Sequence, residues 1–279
     1  MKKILYRILI VLVLIFSILL YSRFIGIIGL KTNEISYSTK SISNSYNGLK
    51  IIHFSDLHYK KVITNKRVKQ LINEINKLKP DIVVFTGDLL DKDYKLNNND
   101  IKFLIKELSK IKTTYGVYSI IGDSDYKYED TVKNIYIQSN ITYLTNSSTI
   151  IYNNNNDKLF IGGLSSSNYE EANIDNVMKK SSDDMYKIIL IHEPDYIDTI
   201  LKEYNNIDLI LSSHSLNGSI NLPLVKRLFL PIGAKNYYKP YYYIKNTDIY
   251  ISNGIGVNNI NFRLFNHPSI NFYRFKRSN

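Results

Sequence analysis

Three short apolar runs in the first half of the chain restrict the fold more than any other feature. They are Leu49–Ser55, Asp81–Thr86 and Val117–Ile121, dominated by Ile, Val and Phe, as in strands buried on both faces. Between the first two, Val68, Leu71, Ile72, Ile75 and Leu78 recur at helical spacing over Thr64–Leu78, and Pro80 stops the pattern. A second helical stretch, Asp100–Ile111, separates the second run from the third. Strand–helix–strand–helix–strand order predicts a largely parallel sheet, whose ligand site lies at the carboxyl ends of the strands. Further strands are expected at Leu159–Gly163, Lys187–Ile191, Ile207–Ser212, Tyr241–Ser252 and Ile270–Phe275, with a helix at Tyr196–Tyr204. Asn97–Asn99 and Asn153–Asn156 mark exposed loops, and no internal repeat is visible.

The N-terminus is a different kind of segment. Ile4–Tyr21 is apolar apart from Arg7 and Ser17, and Phe24–Leu30 is apolar again. That is enough helix to cross a bilayer, with Arg7 or Arg23 snorkelling to an interface. No small-x-small cleavage signal follows, so the segment reads as an uncleaved anchor over residues 1–30. Lys2, Lys3 and Arg7 outweigh Arg23 and Lys31, which favours the N-terminus inside and the domain outside the cell membrane. Residues 31–47, rich in Ser, Asn and Thr, read as a linker ahead of a domain over 48–279.

The chain carries a net charge of +11 over 279 residues and has no cysteine. Disulfides, thiolate metal sites and cysteine nucleophiles are thereby excluded. The charge suits an anionic lipid or envelope surface, or simply a solvated lysine-rich exterior. Lysines are scattered and no nucleic-acid-binding motif is present, so nucleic acid is not an expected partner.

Chemistry concentrates where the strands stop. The first ends in Asp56-Leu57-His58, the second in Gly87-Asp88, and the third in Gly122-Asp123-Ser124-Asp125. Lys187–Ile191 is followed by His192-Glu193, and Ile207–Ser212 by Ser213-His214. Five strand ends thus bring Asp or His to one sheet edge. Carboxylates and neutral imidazoles are the ligands of Zn, Mn, Fe or Mg. Two such ions bridged by a carboxylate, about 4 Å apart, clamp a phosphate and activate water at neutral pH. The alternative reading is ordinary loop polarity at strand ends.

The motif set resembles the calcineurin-like metallophosphoesterase family, in particular its membrane-anchored bacterial branch, over about Asn47–Phe275. The stretch Asn47-Gly48-Leu49-Lys50-Ile51-Ile52-His53-Phe54-Ser55-Asp56-Leu57-His58 is similar to the family's first motif, and Lys79–Asp88 to its second. Tyr115-Gly116-Val117-Tyr118 leads into the third, and His192-Glu193-Pro194-Asp195 fits the fourth. Leu211-Ser212-Ser213-His214 and Ser252-Asn253-Gly254-Ile255-Gly256 through Arg263 are similar to the remainder. The resemblance implies an α/β four-layer sandwich of two mixed sheets flanked by helices, and a hydrolase acting on phosphate esters. It also implies one or two divalent ions. Asp56 and His58 would hold the first, Asp88 would bridge, and Asp123, His192 and His214 would hold the second.

Three positions depart from the family pattern. Asp123 takes the place of an Asn, and an ionised carboxylate ligates metal but donates no hydrogen bond to phosphate. Ser124 takes the place of a His that assists the leaving group or the transition-state charge, and general acid–base help is typically worth ~100- to 10,000-fold in rate. Leu216 takes the place of a ligand to the first metal. The implied enzyme is therefore a monomeric, membrane-anchored phosphoesterase with a weakened or altered site, whose phosphorylated substrate comes from lipid or envelope. The alternative is a non-hydrolytic homologue that binds a phosphorylated ligand or a partner. Asp91 and Asp125 read as supporting or turn residues, and Asn217-Gly218 as a tight turn. His53 reads as a packed or surface strand residue pointing away from the face of Asp56, and His267 as surface. The tyrosines at 237, 238 and 241–243 fit either a substrate or membrane-interface platform or simple strand propensity.

Overall fold

The computed structural model describes residues 2–222, 230–258 and 261–278. Positions 259 and 260 of the last motif fall outside that description. The chain begins with helix α1 (Lys2–Leu20), which runs directly into a wider-wound turn, Tyr21–Ile25. Together these 24 residues are long and apolar enough to cross a membrane, and no residue of α1 is buried against the protein.

The elements that follow are β1 (Lys31–Thr39), β2 (Lys50–Phe54), α2 (Asn65–Leu78), β3 (Ile82–Thr86), α3 (Asn98–Leu108) and β4 (Gly116–Ile120). After a 3-10 turn at Asp123–Tyr128 come α4 (Glu129–Gln138), β5 (Ile141–Tyr143), β6 (Ser147–Tyr152), β7 (Lys158–Gly163) and α5 (Ile174–Met178). The chain closes with β8 (Tyr186–Leu190), α6 (Ile197–Glu203), β9 (Leu209–Ser212), β10 (Tyr241–Ile244), β11 (Thr247–Ile251) and β12 (Ser269–Arg277).

Twelve strands form two sheets of six among the described residues, in the orders β1-β12-β2-β3-β4-β5 and β10-β11-β9-β8-β7-β6. Both are mixed: β2, β3, β4 and β5 run parallel, as do β7, β8, β9 and β11, whereas β12 is antiparallel to β2 and β6 to β7. Strand alternation sorts the apolar residues into three cores. Ile51, Val84 and Ile120 of the first sheet meet Ile161, Ile188 and Leu211 of the second, and this core glues sheet to sheet. The opposite faces take helices: Ile52, Phe54 and Val83 pack with Val68, Leu71, Leu104 and Ile135. Phe160, Ile189 and Ile210 pack with Val177, Ile197 and Ile200. Helix, sheet, sheet, helix is the four-layer α/β sandwich expected.

Two assignments are corrected. Residues 31–47, read as a linker, begin with β1, an edge strand paired in parallel with β12 from Lys31↔Ser269 to Thr39↔Arg277. Its Ser, Thr and Asn side chains suit a strand with a mostly exposed face, while Tyr37 turns inward to a buried position. Tyr241–Ser252 is a hairpin rather than one strand, because Lys245 and Asn246 adopt φ of 48° and 66° and reverse the chain. The tyrosines of this hairpin lie at the edge of the second sheet, with Tyr241 and Tyr243 exposed.

Candidate metal centre

Asp56 and His58 follow β2, Asp88 follows β3 and Asp123 follows β4, whereas His192 follows β8 and His214 follows β9. Three loops come from one sheet and two from the other, so the centre spans the carboxyl ends of both sheets rather than one sheet edge. All six expected residues are brought together. Ligand atoms of Asp88, Asp123, His192 and His214 lie within 4.8 Å of one another, and so do those of Asp56, His58 and Asp88. Asp88 belongs to both groups.

The backbone turns these side chains inward at a cost. Asp56, His58, Asp88 and His214 have φ of 49°, 44°, 60° and 63°. Such left-handed conformations cost of order 1–3 kcal/mol each in ordinary residues and persist where the surroundings enforce them. Here the β3 loop enforces two of them, since Asp56 N–H donates to Gly87 O at 2.9 Å and His58 N–H to Asp88 O at 3.0 Å. Gly122 is required beside them, because a Cβ there would collide with the Asp88 carboxylate and come within 2.7 Å of the His192 ring.

Each imidazole of the second group is oriented by a carbonyl behind it. His192 Nδ1 donates to Thr86 O at 2.7 Å, and His214 Nε2 donates to Ile232 O at 2.8 Å. The remaining nitrogens, His192 Nε2 and His214 Nδ1, are then lone-pair acceptors facing each other at 3.2 Å. Asp88 Oδ2 is 3.4 Å from His192 Nε2, and Asp123 Oδ1 is 3.5 and 3.6 Å from the two imidazoles. With the rings in these tautomers, four metal-ligating atoms face one another. A four-coordinate ion with bonds of ~2.0–2.2 Å separates its ligand atoms by ~3.3–3.6 Å. The donor set therefore fits a divalent cation, and the carbonyls behind both histidines are the usual supporting shell.

The first group is sparser. His58 Nε2 lies 3.4 Å from Asp88 Oδ2. His58 Nε2, Asp56 Oδ1 and Asp123 Oδ1 are buried polar atoms without a hydrogen-bond partner, a costly state unless a cation meets them. Leu216 is buried and contributes no donor. Its methyl packs over Gly254, where an added Cβ would overlap it and stand 2.9 Å from Asp56 Cβ. Three protein ligands remain for this position.

Electrostatics agree with a missing positive charge. Burial disfavours charged His192, yet the Asp88 and Asp123 carboxylates push its proton affinity well above the imidazole range. Asp123 is held low against its burial by His192 and His214, while burial, with Asp123 and Asp125 adding to it, drives Asp88 well up. Burial lowers His58 to about 4, leaving its nitrogen free to ligate.

Ser124 donates from its N–H to Asp88 Oδ1 at 2.9 Å and from its hydroxyl to Asp88 Oδ2 at 3.2 Å, so it props the shared carboxylate. Asp125 accepts from the N–H groups of Leu89, Leu90 and Gly122 and ties the β3 and β4 loops together; burial raises it to about 6. Asp91 pairs with Lys61 at 3.1 Å. His53 is fully buried with Nε2 2.8 Å from Thr86 Oγ1, and His267 is exposed. Three contributors were invisible in the motifs' residue types. Thr86 lends its carbonyl, Ser213 adds a hydroxyl to that carbonyl at 2.7 Å and to His192 Nδ1 at 2.9 Å, and Ile232 lends the carbonyl that holds His214. Arg263 is buried behind Asp56, where its guanidinium donates to the carbonyls of Asn253, Gly254 and Gly256.

The calcineurin-like phosphoesterase profile matches residues 49–218, and the chain belongs to that family. Among curated relatives, the Bacillus subtilis metallophosphoesterases YkuE and YkoQ are each 28% identical to it, YkuE over 93% of this chain and 90% of its own length, YkoQ over 94% and 96%. A bovine transmembrane protein with a metallophosphoesterase domain is 26% identical over 81% of this chain and 52% of its own. Of solved structures, the calcineurin-like phosphoesterase YfkN from B. subtilis superposes with a TM-score of 0.44 at 13% identity, covering 73% of this chain and 80% of that one.

Proposed function

We propose that the protein is a metal-dependent phosphoester hydrolase held at the cell membrane by its N-terminal helix. The observation that carries this is the convergence of ligand atoms from Asp88, Asp123, His192 and His214 within 4.8 Å of one another, with a backbone carbonyl meeting the other nitrogen of each imidazole. Asp88, Asp123, His192 and His214 would hold one divalent ion, and Asp56, His58 and Asp88 a second, less fully furnished one. Ions so placed supply charge to the phosphoryl oxygens and an activated water. The chain's own residues fix the ligand geometry, exclude bulk water from all but the Asp123 side, and hold the shared carboxylate still through Ser124. Ser124 stands where the family pattern has a histidine, so turnover is expected to be slow. The charges flanking the helix support an inside N-terminus and an outside domain.

The full-length chain, purified in detergent and loaded with Mn, should hydrolyse aryl phosphomonoesters or bis-aryl phosphodiesters above an Asp88→Ala control. Equal rates in the two proteins would reject the proposal.

Asp123, Ser124 and Leu216 favour a second reading, a metal-bearing protein that binds a phosphorylated ligand or partner without hydrolysing it. A triple variant, Asp123→Asn with Ser124→His and Leu216→His, would then gain activity from none. A wild type as fast as the triple variant removes this reading.

A further inference from the structure

The anchor is built into the domain beside the metal centre. Arg263 N–H donates to the Ser22 carbonyl at 3.0 Å, at the foot of the membrane helix. Gly26 lies so close under the Arg263 carbonyl that no Cβ fits, and Arg67 donates to the Ile27 carbonyl. A run of contacts leads on from there. Leu264 N–H donates to Ser219 O at 2.9 Å, and the Asn266 amide donates to the Leu216 carbonyl and to Gly218 O at 3.1 Å. That loop begins at His214, whose other side is the Ile232 carbonyl.

Two large apolar side chains on this path face solvent, Phe265 at 68% exposure and Ile232 at 80%. Phe265 holds φ of 54°, an unfavourable conformation for an aromatic residue. Phe24, Ile25 and Ile28 at the anchor foot are also more than half exposed. A single exposed apolar residue is ordinary, but a series running from a membrane helix to the rim of a metal centre is not. Asp123, the one ligand with a quarter of its side chain exposed, opens next to His214 on that same rim.

We propose that the 264–266 loop and Ile232 make a second membrane contact, which sets the mouth of the metal centre on the lipid surface and presents it with phosphate esters carried by membrane lipids. The net charge of +11 suits an anionic leaflet. The lipid-substrate clause rests on the hydrolytic reading above; the membrane contact does not.

The chain has no cysteine, so single labels can be placed freely. Full-length Phe265→Cys, carrying an environment-sensitive fluorophore, is reconstituted into phosphatidylcholine–phosphatidylglycerol vesicles containing spin-labelled lipid. The reference is Ile137→Cys, exposed on α4, which packs on β5 at the opposite edge of the first sheet from β1. The label at 265 should shift to the blue and lose most of its emission to the quencher, and the label at 137 should do neither. Equal quenching at the two positions overturns the contact. In a second arm, the Phe265→Ser variant should lose about tenfold in turnover of a vesicle-borne phosphatidate while keeping its rate on a soluble aryl phosphate. Parallel loss on both substrates, or no loss on either, overturns the lipid-substrate clause. A wild type inert towards both sinks that clause together with the hydrolytic reading, and the quenching result still decides the contact.

Discussion

The two halves of the candidate metal centre share one carboxylate and differ in almost everything else. Around Asp88, Asp123, His192 and His214, two imidazoles are locked by carbonyls of Thr86 and Ile232, and Ser213 reinforces the first lock. Around Asp56 and His58, the place that the family pattern gives to a histidine is filled by Leu216 packed over Gly254. One half therefore has four donors on preset tautomers, and the other has three donors and an apolar wall. The two groups can differ in this way because they are oriented by different loops. The β8 and β9 loops of the second sheet serve one half, and the β2 loop of the first sheet serves the other.

Several substitutions test that contrast. The largest effect is expected from Asp88→Ala, which removes the shared ligand and leaves the surrounding acceptors uncompensated. Bound metal measured by elemental analysis should fall below one ion per chain, and any turnover should fall to background. Next, His192→Ala should abolish tight binding, whereas His58→Ala should leave close to one ion in place. Equal losses in the two variants would show that the halves are not distinct. Leu216→His works in the opposite direction and should raise stoichiometry towards two. Ser213→Ala removes only a supporting hydroxyl, and titration calorimetry should find affinity reduced by about tenfold, as such outer partners typically contribute.

The smallest effect concerns acid stability. His53 sits on Thr86, whose carbonyl orients His192, and burial lowers its pKa to about 3. The unfolded chain takes up that proton near 6.5, so between about pH 6.5 and 3 the unfolded state binds more protons. Stability therefore falls as the pH is lowered through this window, by up to ~1.4 kcal/mol per unit from this residue. His53→Gln should flatten that slope in chemical denaturation, with the second half of the centre most affected.

The sheets were readable in advance where strands are buried on both faces, as at Ile82–Thr86 and Tyr186–Leu190. The six candidate ligands were readable because each stands directly after such a strand. β1 was not, since Lys-Thr-Asn-Glu-Ile-Ser-Tyr-Ser-Thr has the composition of a loop and its partner β12 lies more than 200 residues later. The hairpin turn at Lys245-Asn246 lacks the glycine that usually marks one. Helix α4 and strands β5 and β6 are short and only partly buried, which leaves little periodicity to find. Within the centre, residue types were legible but ring tautomers were not. Those depend on Thr86, Ser213 and Ile232, which meet the histidines only when the two sheets come together.

The pairing of β1 with β12 fixes how far the candidate centre can travel from the N-terminal helix. A free 17-residue tether of this composition would let a domain roam over ~20–25 Å. With pairing from Lys31 onwards, only residues 26–30 separate the membrane helix from the sheet, and Gly26 is already seated against Arg263. With the apolar helix in a membrane, as proposed, the candidate centre would keep a constant height above it, and a phosphate ester lying deeper would have to come to it.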